Sequence, residues 1–383
     1  MSKKATRNIH YSQSEPALYL AFELGATKWE LAFSVGLGQK PRRRSVEAGD
    51  LDSLQSEIMS AKKRFELPEQ TTVKSCYEAG RDGFWLHRCL TTLEIENVIV
   101  DSSSIEVNRR KRRAKTDRID VQKLLLLLMR YYNGENKVWS IVRVPSPEEE
   151  DRRQFHRELR SMKKDKTRTT NRIKGLLATQ GIRLKGRMDL SDNKLDAIRL
   201  WNGAALKDAL KDRLKREWEH CSFLNNQIAK LQSNRRSQLK EKNEPDLEKI
   251  EQLNKLKGIG PESSWVLVRE LFGWRKFHNR REVASLTGLT PTPYDSGDTK
   301  WEQGISKSGN RHIRAVAVEM AWAWIRYQPK SRLTRWFMKR FYNAGKRARK
   351  VGIVAVARRL IIDLWRFLEC GVIPEGAQLK AQV

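Results

Sequence analysis

The sequence predicts a mixed α/β domain near the N-terminus, followed by mainly helical structure. Two observations carry this prediction. Between residues 18 and 100, short apolar runs alternate with turn residues and with helical spacing. From residue 151 onward, apolar residues recur every three or four positions, which is the helical period. The N-terminal order is three strands, helix, strand, helix, strand and a final helix, as expected of an RNase H-like α/β domain.

Each N-terminal element follows from its own pattern. The predicted strands are residues 18–24, 29–35, 41–48, 73–78 and 97–100. The predicted helices are residues 51–65, 84–90 and about 116–131. In the first helix, one face carries Leu51, Leu54, Ile58 and Ala61. The third strand carries basic residues on a side that we expect to face solvent.

The middle of the chain is predicted to form long charged helices. Residues 151–180 and 205–242 are nearly free of Gly and Pro. Apolar residues spaced by three or four recur in the second stretch, at Leu206, Leu210, Leu214, Trp218, Cys221, Leu224, Ile228 and Leu231. An intramolecular helical hairpin and a coiled coil between two copies explain this stripe equally well, because either one buries it.

The C-terminal part differs in residue pattern from both preceding parts of the chain. Residues 256–272 are predicted to form a turn and a helix, residues 288–304 a loop, residues 313–327 an apolar helix, and residues 332–371 two amphipathic helices. The predicted organisation is a disordered segment (1–15), an RNase H-like domain (16–145), a helical coiled-coil or dimerisation segment (146–250) and a mainly α C-terminal domain (251–383).

The charge balance indicates a polyanionic partner. The 383 residues include 76 Lys plus Arg and 46 Asp plus Glu, which gives a net charge of +30. So much unbalanced charge favours nucleic acid as the partner. A membrane-surface protein is the other basic class, but there is no 18-residue apolar run, lipidation signal or signal-peptide core. The sequence therefore predicts a cytoplasmic, nucleoid-associated protein with no membrane partner.

Cysteine and histidine usage excludes other classes of site. The four cysteines lie far apart in sequence without a CxxC pair, which indicates a reducing compartment and no zinc site or disulfide framework. The six histidines form no ligand pattern. Any metal must therefore be held by carboxylates.

Four acidic residues form the candidate metal site. Asp117 and Asp120 lie three residues apart, so both project from one helical face. Glu23 and Glu78 end predicted strands that are neighbours in an RNase H-like sheet. Carboxylates gathered there would repel one another unless a divalent cation neutralised them, and Mg²⁺ prefers oxygen ligands. The alternative is that all four are solvated.

The segment 290–314 holds a candidate nucleophile. Ser296 precedes a glycine between two aspartates, with Lys and Arg residues nearby. A serine that attacks a phosphodiester needs an exposed hydroxyl, a permissive backbone and cations for the phosphate oxygens. Asp-Ser-Gly-Asp is also an ordinary turn former, and local sequence favours the turn. The GIGP turn (258–261) is equally compatible with a phosphate-binding helix start and with plain loop chemistry.

Basic segments with interspersed apolar and aromatic residues are the candidate nucleic-acid contacts. For each segment alone, a solvated helix face is the alternative. The candidate residues are Arg109, Arg110, Lys111, Arg112, Arg113, Lys115, Arg172, Lys174, Lys300, Lys307, Arg311, Arg314, Arg340 and Lys346.

Three segments resemble a known family. They are CYEAGRDGFWLHRCL, DSSSIEVNRRKRRAKTDRIDVQKLL and GLTPTPYDSGDTKWEQGISKSGNRHIR. In them the chain resembles the IS-one-ten family of insertion-sequence transposases, the bridge-RNA-guided recombinases. The resemblance runs from about Leu18 to Ile373 and is least specific in the charged middle.

The resemblance implies a RuvC-type RNase H-like domain, a coiled coil and a C-terminal transposase domain with a nucleophilic serine. It implies a DEDD carboxylate set at Glu23, Glu78, Asp117 and Asp120, and it places the nucleophile at Ser296. Glu23 departs from the aspartate of the family pattern. It further implies Mg²⁺, a composite site shared with the serine domain, a covalent phosphoserine link to DNA, a structured guide RNA pairing with donor and target DNA, and a dimer or tetramer.

Two other functions remain open at this point. A metal-dependent junction nuclease, in which Ser296 is merely part of a turn, would leave no lasting protein–DNA link. A non-catalytic nucleic-acid-binding scaffold would bind without metal-dependent cleavage. The recombinase is the leading prediction because its motifs occur together and in order.

Overall fold

The computed structural model describes residues 16–81, 83–105, 117–184, 186, 188–241, 244, 246–296 and 299–381. The chain divides after Pro145 into two compact units, residues 1–145 and 146–383. The prediction of disorder for residues 1–15 lies outside the described residues, and the further boundary near residue 250 stays a prediction.

A five-stranded mixed sheet forms the centre of the first unit. Its strands are β1 (Leu18–Leu24), β2 (Lys28–Ser34), β3 (Arg42–Glu47), β4 (Val73–Glu78) and β5 (Glu96–Val100). The spatial order is β3-β2-β1-β4-β5. β1, β2 and β3 form an antiparallel meander, whereas β4 lies parallel to β1 and β5 parallel to β4. The predicted strand and helix order is confirmed.

Helices cover both faces of this sheet. They are α1 (Leu51–Arg64), α2 (Trp85–Thr92) and α3 (Asp117–Tyr132). α1 and α2 pack on the face that carries Leu20, Phe22 and Leu31. α3 packs on the opposite face, which carries Tyr19, Ala21, Ala32 and Cys76. Strands covered on both faces read as continuous apolar runs, which explains the pattern of LYLAFEL.

The second unit is mainly helical. Its helices are α4 (Pro147–Asp151), α5 (Gln154–Ala178), α6 (Asp192–Asp196), α7 (Asp208–Glu241), α8 (Leu247–Asn254), α9 (Pro261–Leu267), α10 (Arg280–Leu286), α11 (Arg311–Tyr327), α12 (Arg332–Arg340) and α13 (Gly345–Cys370). A π-helical turn, Val268–Phe272, continues α9. The helices predicted at 313–327 and 332–371 are confirmed.

The two long charged helices pack against each other as an antiparallel hairpin. Ile173 and Leu177 of α5 share a buried cluster with Leu214 and Cys221 of α7. The Arg172 guanidinium donates to both carboxylate oxygens of Glu217 at 2.7 and 2.8 Å. The apolar stripe is thus buried within one chain, which favours the hairpin explanation. A dimer or tetramer stays a prediction that rests on the resemblance.

The loop predicted across residues 288–304 is wrong. A β-hairpin forms there from β6 (Pro291–Ser296) and β7 (Thr299–Ile305). β-Branched and aromatic residues flank the turn and favour strand conformation, and the register shift between Pro291 and Pro293 accommodates residues that cannot donate to the ladder. In the described part of the chain, no helix is both long and apolar enough to cross a membrane.

Candidate functional site

Glu23 and Glu78 occupy neighbouring positions at one edge of the central sheet. β1 and β4 are parallel with Phe22 beside Tyr77, so the next residues along each strand are Glu23 and Glu78. Side chains alternate between the faces of a strand. Ala21 lies on the face covered by α3, and therefore Glu23 lies on that face too. The strand neighbours predicted from sequence order are thus adjacent in register.

The first described turn of α3 points toward the same edge. The Tyr132 ring near the end of α3 lies 6.1 Å from the Tyr19 ring at the start of β1. In the middle of α3, the Leu124 carbonyl lies 3.9 Å from the Cys76 sulfur. α3 therefore runs antiparallel to β1 and β4, and its N-terminal end approaches the strand ends where Glu78 follows Cys76.

Helical spacing puts Asp120 and Asp117 one turn before the buried residues Leu124 and Val121, in line with the sheet-facing side of α3; Asp120 is half-buried and Asp117 is exposed. Burial and the negative charge of Glu78 both raise the pKa of the Cys76 thiol, consistent with the Glu78 carboxylate lying close by. Among the described residues, no group of three or more His, Cys, Asp or Glu side chains is arranged to hold a metal ion. The four-carboxylate ligand set stays a prediction.

A further carboxylate was not singled out from the sequence. Glu30 of β2 lies opposite Glu23 in the antiparallel register and is half-buried. Cross-strand partners lie on the same face of a sheet, so Glu30 adds negative charge beside Glu23. The signal was present in the sequence, because pairing the first two predicted strands as a hairpin places these glutamates opposite each other.

Ser296 is the last residue of β6. It pairs with Thr299 across the two-residue connection of the hairpin, and Asp295 pairs with Lys300. The sequence predicted a turn at this serine, and Ser296 borders the connection between the two strands. Its role as nucleophile stays a prediction.

The two ends of this hairpin are fastened to each other by backbone contacts. The Ser306 amide donates to the Thr290 carbonyl at 2.9 Å, and the Asn310 amide donates to the Leu286 carbonyl at 3.2 Å. The approach is close because Gly309 has a φ of +76°, and a Cβ there would lie 2.2 Å from the Leu286 oxygen. Glycine is needed at this position of the ISKSGN motif both for its conformation and for space.

A buried carboxylate, Glu270, binds Asn310, the last residue of the ISKSGN segment (305–310). Glu270, in the π-helical turn, accepts hydrogen bonds from His156 Nε2 (2.8 Å), from Arg157 Nε (2.7 Å) and Nη2 (2.9 Å), and from Asn310 Nδ2 (2.7 Å). The side-chain oxygen of Asn310 in turn caps α11, accepting from the His312 amide at 2.8 Å. The network thus connects α5, the π-helical turn and the end of the hairpin. The network was not predicted from the sequence, although the two charged residues within the otherwise apolar run VRELF were a signal.

The residues that surround the Glu270 carboxylate favour its charged form. Burial alone would raise the pKa of its carboxyl, but hydrogen bonds from His156 and Arg157 hold that pKa well below its usual range. Burial is the largest cause that lowers the pKa of His312; the negative charge of Glu270 opposes the shift, and the neighbouring arginines add to it. His312 is therefore neutral near pH 7, and its Nδ1 accepts a hydrogen bond from Arg160 at 2.9 Å.

Glu270→Gln is expected to lower the free energy of unfolding by about 2–3 kcal/mol at pH 7, because the amide loses the charge that Arg157 binds and cannot accept all the hydrogen bonds that the buried carboxylate accepts. The folded-state pKa of Glu270 lies below the unfolded value, so its contribution is complete above about pH 4.5 and is lost as the pH falls further. Urea unfolding at pH 7 and pH 4 should therefore show a smaller difference between variant and wild type at pH 4.

Glu262→Gln is the matched control. Glu262 also pairs with a residue of α5, Lys163, but its side chain is 48% exposed. An exposed ion pair contributes only about 0–1 kcal/mol. Equal losses of stability in the two variants would contradict the importance assigned to the buried network.

Two of the candidate nucleic-acid contacts have partners inside the protein. Arg172 binds Glu217 within the helical hairpin. Arg314 donates from Nη1 to the carbonyls of Lys307 at 2.9 Å and Ser308 at 3.2 Å, and so stabilises the loop that follows β7. Neither residue has its guanidinium wholly available for phosphate. For these two arginines, binding to groups within the protein is the more direct explanation than contact with nucleic acid.

The other candidates divide into exposed, partly described and undescribed residues. The exposed ones are Lys174, Lys307, Arg311, Arg340 and Lys346. For Lys300, the structure describes only the backbone, which lies in β7. Arg109, Arg110, Lys111, Arg112, Arg113 and Lys115 lie outside the described residues. In the GIGP turn, Gly258 has a φ of +81° and lies against the backbone of α11, which favours the structural explanation over a phosphate site.

Comparison with known proteins identifies relatives of this chain. A relative from Sinorhizobium fredii, described as the putative transposase y4rJ, is 38% identical over 95% of this chain and 95% of its own length. A transposase for the insertion sequence element IS1328 from Yersinia enterocolitica is 28% identical over 28% of this chain and 31% of its own length. The profile described as the Transposase IS116/IS110/IS902 family matches residues 250–335, which include Glu270, Asn310 and the β6–β7 hairpin.

Proposed function

Because this chain belongs to the IS116/IS110/IS902 family of transposases, we propose that it exchanges DNA strands through a covalent link to Ser296, aided by Mg²⁺-binding carboxylates and a guide RNA. The observation that carries the proposal is the position of Ser296. It is the last residue of β6, and the base of its hairpin is held by the close approach at Gly309 and by the hydrogen bond from Asn310 to Glu270.

The topology of the first unit supports an RNase H-like assignment. An antiparallel meander of three strands continues into two parallel strands, in the order β3-β2-β1-β4-β5, with α3 across the face of β1. This arrangement brings the ends of β1 and β4 together, and in the proposed function these ends carry the metal-binding acids.

The residues present suit Mg²⁺ in donor type, because all four are carboxylates. Glu23 and Glu78 are adjacent in register on one face, and the sheet-facing side of α3 carries Asp117 and Asp120 toward that edge. We propose that these four residues hold the ion, which when bound would polarise a phosphodiester. Glutamate at position 23 extends one methylene further than aspartate, and Glu30 lies beside it.

In the proposed chemistry, the Ser296 oxygen forms a bond to phosphorus while one P–O bond of the DNA strand breaks. The serine hydroxyl gives up its proton, and the released strand end takes one up. The reverse reaction with a different strand end restores serine and joins the strands. The phosphoester bond is conserved throughout, so strand exchange needs no external energy source.

The charge of the chain supports nucleic-acid partners. A net charge of +30 suits contacts to the phosphates of donor and target DNA and of a structured RNA. We propose that base pairing with this RNA selects both DNA sites, while the protein recognises backbone and shape.

The guide function is tested by compensatory changes. The gene would be expressed with its native flanking non-coding DNA, together with a donor and a target plasmid. Changing the RNA segment that pairs with the target should abolish recombination, because the protein itself supplies little base recognition. A matching change in the target should restore it. Recombination that is indifferent to the RNA would contradict RNA guidance, while leaving the serine chemistry to be judged separately.

A further inference from the structure

A basic pocket lies between α12 and α13 in the second unit. Its volume is about 330 Å³, and Leu333 and Ile362 contribute its apolar part. This is at the lower end of the roughly 300–1,000 Å³ typical of small-molecule sites. A pocket of this size suits one nucleotide unit better than a folded partner segment.

Four arginines share this pocket with a single acid. Arg332 comes from α12, Arg359 and Arg366 from α13, and Arg280 begins α10. The acid is Asp363, so the lining carries an excess of three positive charges. Arg332 also approaches Glu375, with 3.5 Å between Nε and Oε2, but the two side chains are 59% and 62% exposed. An exposed pair of this kind compensates little charge.

The four arginines of the pocket repel one another, and the single acid among them does not balance their charge. Burial lowers the pKa of the Arg359 guanidinium, the positive charges of neighbouring arginines, Arg332 first, lower it further, and the Asp363 carboxylate only partly opposes this shift. Burial raises the pKa of Asp363, although Arg332, Arg366 and Arg359 oppose that shift. A bound anion would relieve the repulsion among these guanidinium groups.

One of these arginines is held in place by an aromatic ring. The Arg359 guanidinium lies 3.9 Å from the centre of the Trp336 ring, within cation–π distance. Within the described part of the chain, neither Arg359 nor Arg366 donates a hydrogen bond to another residue. The cation–π contact therefore orients Arg359 while its N–H groups remain available to a ligand. A planar guanidinium matches the paired oxygens of a phosphate.

We infer that this pocket binds a phosphodiester group of the nucleic acid on which the transposase acts, with Arg332, Arg359 and Arg366 as its ligands. The inference rests on the proposed function and adds to it a phosphate site remote in sequence from Ser296. DNA and RNA backbones share the recognised chemistry, so the experiment must separate them.

Arginine footprinting tests the pocket directly. The full chain, freed of nucleic acid, would be treated with phenylglyoxal alone, with a duplex DNA, or with a stem-loop RNA of equal phosphate number, and then examined by mass spectrometry. Arg359 and Arg366 should lose modification when the pocket is filled, whereas Arg64, exposed at the end of α1, should not. Protection by only one nucleic acid identifies the source. Protection by both shows that the pocket accepts either backbone, and full modification with both would overturn the inference.

A charge-matched pair of variants gives the second test. In Arg359→Gln/Arg366→Gln, the magnitude of the slope of log K against log salt concentration should fall by about 1, since the pocket binds one phosphate and each phosphate contact contributes about 0.9 for duplex DNA. The control is Lys63→Gln/Arg64→Gln, which removes the same charge from α1 and should leave the slope nearly unchanged. Equal effects in both doubles would show a general charge effect and no pocket. If the pocket variant keeps both normal nucleic-acid binding and strand exchange, the phosphate site is refuted and the proposed recombinase function is unaffected.

Discussion

Ser296→Ala is expected to abolish strand exchange, with recombination falling below about one thousandth of the wild-type level. The alanine variant keeps the backbone but lacks the oxygen that must bond to phosphorus. Nucleic-acid binding should remain nearly intact, because it depends on cations spread over the chain. Recombination of paired donor and target plasmids gives the first quantity, and a gel-shift titration gives the second.

Ser308→Ala provides a control for this result. Ser308 lies in the loop after β7, and its hydroxyl is 2.9 Å from that of Ser306. Loss of this hydrogen bond between partly exposed residues should cost about 1 kcal/mol or less, so strand exchange should persist. Equal loss of binding and exchange in Ser296→Ala would contradict the assigned role of the serine.

Asp120→Ala and Asp117→Ala are expected to lower the Mg²⁺-dependent rate by roughly 10²–10⁴-fold, which corresponds to several kcal/mol of transition-state stabilisation. Each variant removes one of the acids that α3 carries toward the ends of β1 and β4. Titration with Mn²⁺ followed by electron paramagnetic resonance gives a second readout, and both variants should bind the ion more weakly.

The matched control for the metal prediction is Asp52→Ala. Asp52 is an exposed acid in the first turn of α1, so its removal reproduces the change in charge near a helix start. It should leave both rate and ion binding nearly unchanged. Full activity and unaltered Mn²⁺ binding in Asp120→Ala or Asp117→Ala would refute the metal site.

Much of the first unit could be predicted from local pattern alone. Its apolar strands and the spacing of Leu54, Ile58 and Ala61 in α1 depend on burial against a single sheet, so sequence periodicity reflects them directly. The β6–β7 hairpin was not predicted, because Gly, Pro and Asp at its turn and edges resemble loop composition. Its strands are visible only when the pairing of the two segments is known.

The Glu270 network depended on contacts distant in sequence. Its partners His156 and Arg157 lie more than 110 residues away, and nothing in the local sequence indicates that they meet. The charged stretch 151–180 was predicted as one long helix with no specific partner for its charges, yet α5 uses two of its residues to hold a buried carboxylate. Most helices and the strands of the first unit therefore followed from residue spacing, whereas the contacts that support the candidate site did not.

The nuclease and scaffold alternatives make different predictions from the proposed recombinase. A water-using nuclease would cleave DNA with Mg²⁺ whether or not Ser296 is present. A scaffold would bind nucleic acid without cleaving it in any variant. Both alternatives predict that no DNA becomes attached to the protein, and this is the point at which they separate from strand exchange through serine.

The most direct measurement is a search for that attachment. Wild-type protein and Ser296→Ala would each be expressed with the native flanking non-coding DNA and a labelled donor–target pair, then separated on a denaturing gel. The proposed mechanism predicts a labelled protein–DNA adduct in the wild type only, with mass spectrometry placing the nucleotide on Ser296. An adduct of equal yield in Ser296→Ala, or recombination in the wild type without any adduct, would contradict the mechanism.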